Sequence, residues 1–177
     1  SFEPERNFLF HNTGHGTFTE TGQAAHPGWS TGCAFGDYDH DGFVDLYVAN
    51  YLSNEWEVIA PEGERTCKFM NIAVPCGPKP LKGEPDVLYR NTGKGTFVDV
   101  TKAAGVAAPG HYGFGVLFTD LDDDGWPDIY AASDSVPSLF FRNRKNGTFS
   151  EEALPAGIAV SGDGREQAGM GLDAGDF

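Results

Sequence analysis

The sequence is poor in positive charge. It carries 12 Lys and Arg against 26 Asp and Glu, a formal net charge of −14. With no basic patch to neutralise phosphate, nucleic acid and anionic membrane surfaces are excluded as partners. A run of about 18 apolar residues is also missing, so neither a transmembrane helix nor membrane insertion is expected. No signal-peptide pattern stands at Ser1, which suits a mature form and an excised piece equally. Helical periodicity is nearly absent, and "TKAAGVAA" (101–108) offers one or two turns at most.

Catalytic signatures are missing as well. There is no Gly-x-Ser-x-Gly elbow, no His-Glu-x-x-His, and no phosphate-cradling glycine loop ahead of a helix. His11, His15, His26, His40 and His111 show no ligand spacing, and the first three read as exposed turn or edge residues. The chain is therefore read as a non-enzyme. Cysteine is scarce, with three residues. Cys67 and Cys76 bound "CKFMNIAVPC", a short loop that a disulfide would close, implying an oxidising compartment. Free thiols, or a lone metal contact, are the alternative. Cys33 lies in the apolar stretch "GCAF" and reads as a small buried hydrophobe.

What is abundant points to strands. The chain has 24 Gly, 14 Phe, 6 Tyr and 3 Trp, a composition suited to short strands and tight turns. Its 177 residues suffice for one domain with a real core, or for a piece of a larger one. "NFLFHNTGHGTFTE" (7–20) recurs as "DVLYRNTGKGTFVD" (86–99) and as "SLFFRNRKNGTFSE" (138–151). Each copy reads as a hairpin, with strand formers on both limbs and Gly in the turn. Asn146-Gly147-Thr148 matches a glycosylation sequon, but its place in a repeated turn explains it more simply.

A second block follows each hairpin: "TGCAFGDYDHDGFVDLYVAN" (31–50), "FGVLFTDLDDDGWPDIYAAS" (114–133) and the start of a third, "MGLDAGDF" (170–177). This gives repeat units of about 7–51, 86–135 and 138–177. Residues 52–85 interrupt them as an insertion that the Cys67–Cys76 bridge would pin. Mostly short strands in units of this length point to an all-β fold, a propeller or a solenoid.

The blocks share a nine-residue core, D-x-D-x-D-G-x-x-D, at 37–45 and 120–128. Carboxylates crowded in this way repel one another unless a cation joins them. Calcium accepts six to eight oxygens, from carboxylates, carbonyls and water. The expected ligands are Asp37, Asp39, Asp41, the Phe43 carbonyl and Asp45, then Asp120, Asp122, Asp124, the Trp126 carbonyl and Asp128. A third site begins at Asp176 and is incomplete. Magnesium keeps more of its waters, and zinc wants His or thiolate ligands. An EF-hand would need an acid at the twelfth position and flanking helices. Val48 and Ala131 stand there, and strand-forming residues follow.

These loops, alternating with hairpins such as "LYRNTGKGTF", resemble FG-GAP/VCBS repeats, the blades of integrin-α-type β-propellers. Within them the chain is similar to the cartilage-acidic-protein-like group that often carries an ASPIC/UnbV domain. "PCGPKPLKGEPDVLYRN" adds to that likeness. Two departures stand out: "FTD" replaces Phe-Gly-Asp in the second block, and no ASPIC/UnbV domain lies in these residues. The resemblance implies a partial β-propeller with strand–calcium loop–strand motifs, extracellular, at the cell surface or periplasmic. It also implies a non-catalytic module used in adhesion or protein binding. A carbohydrate-binding propeller is the alternative, with Trp29, Trp56 or Tyr112 stacking on sugars, although core packing is the plainer reading of each. A further possibility is self-association through open blade edges into an extracellular fibre.

Overall fold

The computed structural model describes residues 6–53, 67–74, 77–79 and 81–175. Trp56, Cys76, Asp176 and Phe177 lie outside the described residues, and with them the start of the third acidic loop. Among the described residues every regular element is a strand. β1 (Phe10–Gly14) and β2 (Thr17–Glu20) form an exposed hairpin. β3 (Ser30–Gly36) and β4 (Asp45–Asn50) follow. β5 (Cys67–Phe69) and β6 (Ile72–Val74) make a small hairpin inside the insertion.

β7 (Val87–Asn91) and β8 (Phe97–Asp99) then complete an antiparallel sheet in the order β3-β4-β7-β8. β9 (Gly113–Thr119), β10 (Asp128–Ser133), β11 (Leu139–Asn143) and β12 (Phe149–Glu151) form a second sheet in the same order. Two four-stranded antiparallel meanders packed face to face are propeller blades, and the fold is a partial β-propeller. Each blade joins an acidic block to the hairpin that follows it in sequence.

The asparagine common to the three hairpins has a local cause. Asn12 and Asn91 accept the N–H of Gly14 and Gly93, and Asn143 accepts that of Lys145. These side chains cap the turn from within, as Asn does in an Asx-turn. Asn146 likewise accepts the Thr148 N–H and hydroxyl inside its own turn.

β4 is buried along its whole length and does not alternate between core and solvent. The reason is its position, with the second blade on one face and residues from before β3 on the other. Tyr47, Leu88, Ile129 and Phe141 fill the space between the blades, joined by Tyr38, Val106 and Phe149. On the opposite face Leu46 and Val48 meet Leu9 and Ala24.

Glycine sets how closely the blades approach. β3 lies against β9, and the Thr31 hydroxyl donates to the Gly113 carbonyl at 2.7 Å. A Cβ on Gly32 would stand 2.1 Å from the carbonyl oxygen of Phe114. That neighbour is backbone and cannot rotate away. Gly32→Ala is therefore expected to lose about 1–3 kcal/mol, the usual cost of overpacking. Gly162→Ala, where nothing lies within 4 Å, is expected to be near neutral. Thermal melts of the two variants side by side test this; equal melts would contradict the inter-blade packing.

Two expectations need correction, those for Cys33 and His26, while the plainer reading of Tyr112, core packing, holds. Cys33 is exposed rather than buried, because it points away from the second blade into an open apolar cleft. Tyr112 is 5 % exposed, with its hydroxyl bonded to the Leu81 carbonyl, so its ring is not available to a sugar. His26 is half-buried and lies 3.3 Å from Glu84. Trp29 remains exposed, with its ring edge-on to Tyr51 at 5.3 Å.

Candidate metal centre

Each acidic loop joins the first two strands of its blade. Asp45 pairs with Gly36 in one register and Asp128 with Thr119 in the other, so the loops begin and end at matched positions. The backbone repeats too. His40 and Asp123, both fourth in their loops, take φ of 55° and 58°. Gly42 and Gly125, both sixth, take φ of 88°, a turn that the left-handed region makes possible and that glycine adopts without strain.

The first carboxylate organises the turn. Asp37 accepts the N–H groups of Asp41 and Gly42 at 3.1 and 3.0 Å. Asp120 accepts those of Asp124 and Gly125 at 3.1 and 2.7 Å. Asp41 and Asp124 accept the N–H of Phe43 and Trp126, each at 3.0 Å.

The ninth carboxylate is the anchor. Asp45 and Asp128 are fully buried. Asp45 accepts the Tyr38 N–H at 3.2 Å and reaches the third strand through the Asn91 N–H at 2.8 Å. Asp128 does the same with Leu121 at 3.1 Å and Asn143 at 2.8 Å. The Asn91 and Asn143 side chains return bonds to the Val44 and Pro127 carbonyls.

The loops bring donors together in two triplets. Oxygens of Asp37, Asp39 and Asp45 lie within 4.8 Å of one another, as do those of Asp120, Asp122 and Asp124. Asp41 and Asp128 sit beside these triplets, held by the bonds above. Oδ1 of Asp39 and Oδ1 of Asp122, at equivalent positions, are buried and have no hydrogen-bond partner. A buried carboxylate oxygen without a partner is costly, and it recurs in register. A donor set made only of oxygen suits a hard cation.

The electrostatics agree. Burial pushes the Asp45 carboxyl up to about 6; the Asn91 and Tyr38 N–H groups oppose this, and Asp39 and Asp41 add to it. Burial likewise raises Asp128. Burial would raise Asp120 also, but N–H groups of Gly125, Asp124, Asp123 and Asp122 hold it below the usual carboxylate range. A positive charge at either loop would favour the ionised forms.

Two contributions were not anticipated from sequence. Arg90 and Arg142 reach Asp39 and Asp122 from the third strand of each blade. His40 of the first loop stacks on Trp126 of the second, with ring centroids 4.0 Å apart, tying the loops across the blades. The recurrence of Arg-Asn in "YRNTG" and "FRNRK" was the available signal for the first.

Antiparallel blades whose first two strands are joined by such loops define a propeller-type repeat protein. The chain belongs to the FG-GAP-like repeat family, whose model matches residues 1–48, 81–131 and 120–177. It is similar to cartilage acidic protein 1 of Mus musculus and of Homo sapiens, each 47% identical over 45 residues, or 25% of this chain. The same protein of Xenopus tropicalis is 38% identical over 64 residues, or 36% of this chain. The matches span only 7%, 7% and 10% of those relatives.

Proposed function

We propose that this chain is a non-catalytic, calcium-stabilised propeller module that binds a protein partner outside the cytoplasm. The reading rests on the matched pair of buried, partnerless oxygens, Asp39 Oδ1 and Asp122 Oδ1, in two all-oxygen loops that share their backbone turn. Calcium would be held by Asp37, Asp39, Asp41, the Phe43 carbonyl and Asp45. In the second loop the holders would be Asp120, Asp122, Asp124, the Trp126 carbonyl and Asp128. The ion would supply a positive charge that joins the loop carboxylates to the one that opens the second strand of the blade. Their use as ligands makes them poor proton donors for hydrolysis.

A protein partner is favoured by an apolar cleft of about 390 Å³ on the first blade, lined by Phe8, Leu9, Cys33, Phe35, Leu46 and Val48. Exposed contiguous apolar surface of this kind marks interaction sites. The glycan reading loses support because Tyr112 is buried and Trp29 leans on Tyr51. A disulfide between Cys67 and Cys76 would suit an extracellular, cell-surface or periplasmic setting. Relatives named for cartilage fit the same setting.

Calcium should raise the melting temperature, and a chelator should lower it. A 100-fold excess over Kd adds about 2.7 kcal/mol per site. Magnesium should restore the melt less well than calcium. A melt unchanged by chelator would sink the reading.

A further inference from the structure

Arg90 and Arg142 occupy the same place in the two blades, each one residue before the asparagine that braces its loop. Arg90 Nε donates to Asp39 Oδ2 at 2.7 Å, and its Nη2 to Asp41 Oδ2 at 3.2 Å. Arg142 Nη2 donates to Asp122 Oδ2 at 2.8 Å. The other oxygen of each of these central aspartates, Oδ1, is the buried, partnerless one. One side of the carboxylate is thus committed to a guanidinium and the other is left open.

The geometry points to Arg90 and Arg142 as built-in counter-cations that hold the ion-free loops in shape and restrain their affinity for a divalent cation. This rests on the cation reading proposed above. Four carboxylates crowd the first loop, and in an ion-free chain their repulsion would open it. A guanidinium keeps its charge at any working pH and meets carboxylates with a rigid fork, so it relieves that repulsion without an ion. The same fixed charge repels a divalent cation bound to the same carboxylates. Coupling of this kind is reciprocal: whatever the arginine adds to the ion-free loop relative to the loaded one, it takes from the affinity for the ion.

The two blades differ in degree. Arg90 meets its loop through two nitrogens, Nε and Nη2. Arg142 also lies 3.6 Å from Glu152, and its Nε is buried without a partner, so its charge is divided. Arg90 is therefore the stronger restraint.

The test uses the full chain, titrated with calcium by calorimetry and melted in calcium-free and calcium-saturated buffer. Arg90→Gln keeps the stem and loses the charge. Its first-loop calcium affinity is expected to tighten about tenfold, in the usual range for such coupling. Its calcium-free melt should fall, while the saturated melt stays near wild type. Arg142→Gln should shift in the same direction by less, and Arg90→Lys, which keeps the charge, should stay close to wild type. Weaker or unchanged calcium binding by Arg90→Gln overturns the assignment and leaves an orienting brace or a bystander. A wild type that takes up no calcium overturns the cation reading itself, which a calcium-binding wild type with an indifferent Arg90→Gln does not.

Discussion

Asp45→Ala is expected to lower stability by about 4 kcal/mol in saturating calcium and by roughly half that in calcium-free buffer. The side chain is fully buried, and its two oxygens accept the N–H groups of Asn91 and Tyr38. Alanine leaves both donors without an acceptor, at about 1–3 kcal/mol each. It also cuts the link from the acidic loop to the third strand of the blade. Against this stands the carboxyl raised to about 6, mainly by burial. At neutral pH the ionised form costs stability that alanine restores. In ion-free protein the two effects partly cancel. In calcium the charge is already compensated, and the variant loses a ligand as well.

Asp41→Ala is the informative contrast. Asp41 is more accessible, and among the described residues it holds the Phe43 N–H and Arg90. Its loss should matter little without calcium and should then remove the response of one site. Denaturant unfolding of both variants, with and without calcium, separates the two patterns. Small and equal losses for Asp45→Ala in both buffers would remove it from either role.

The acidic loops were legible because everything that shapes them is close in sequence. Asp37 caps N–H groups four and five residues on, and Gly42 supplies the positive φ within the same stretch. The hairpins were legible for the same reason, since Asn91 caps a turn two residues away. The order of strands within a blade was not. The repeat read from its first hairpin pairs each hairpin with the block after it, whereas hydrogen bonding joins Leu46 to Tyr89 and Ile129 to Phe141, the block to the next hairpin. Nothing local distinguishes those frames, because the pattern is periodic and either cut preserves it.

Contacts between strands were also hidden. Arg90 meets Asp39 from the third strand, across a distance in sequence that includes the whole insertion. Cys33 failed for a related reason. An apolar stretch signals a strand, but its side chains alternate between faces, and local composition does not say which face a neighbouring blade will cover. The second blade lies against one side of β3, and Cys33 lines the cleft on the other.

The role of Asp86 was hidden from the sequence as well, and its replacement should raise stability at neutral pH. In sequence it is the first residue of the second hairpin copy, 86–99. In the fold it is 3 % exposed, accepting the Tyr47 hydroxyl at 2.9 Å and the Asn50 N–H at 2.8 Å. Burial raises its carboxyl to about 6, and the two hydrogen bonds pull the other way without cancelling it. An acid raised above its unfolded value of 3.8 keeps its proton longer in the folded chain than in the unfolded one. Its contribution is therefore most favourable below about pH 4, declines between about pH 4 and 6, and is fully lost above that. The loss amounts to about 3 kcal/mol at 1.36 kcal/mol per pH unit. Asp86→Asn keeps an acceptor for Asn50 and carries no charge at any pH. It should sit at or slightly below wild type near pH 4 and melt above it at pH 7.5. Asp45 also titrates near 6, but it lies at the far end of β4 and contributes equally to both proteins, so it drops out of their difference. Urea unfolding in calcium-free buffer at several pH values gives that difference directly. A difference that stays flat from acid to neutral pH would mean that Asp86 ionises as freely in the folded chain as in the unfolded one, against its burial.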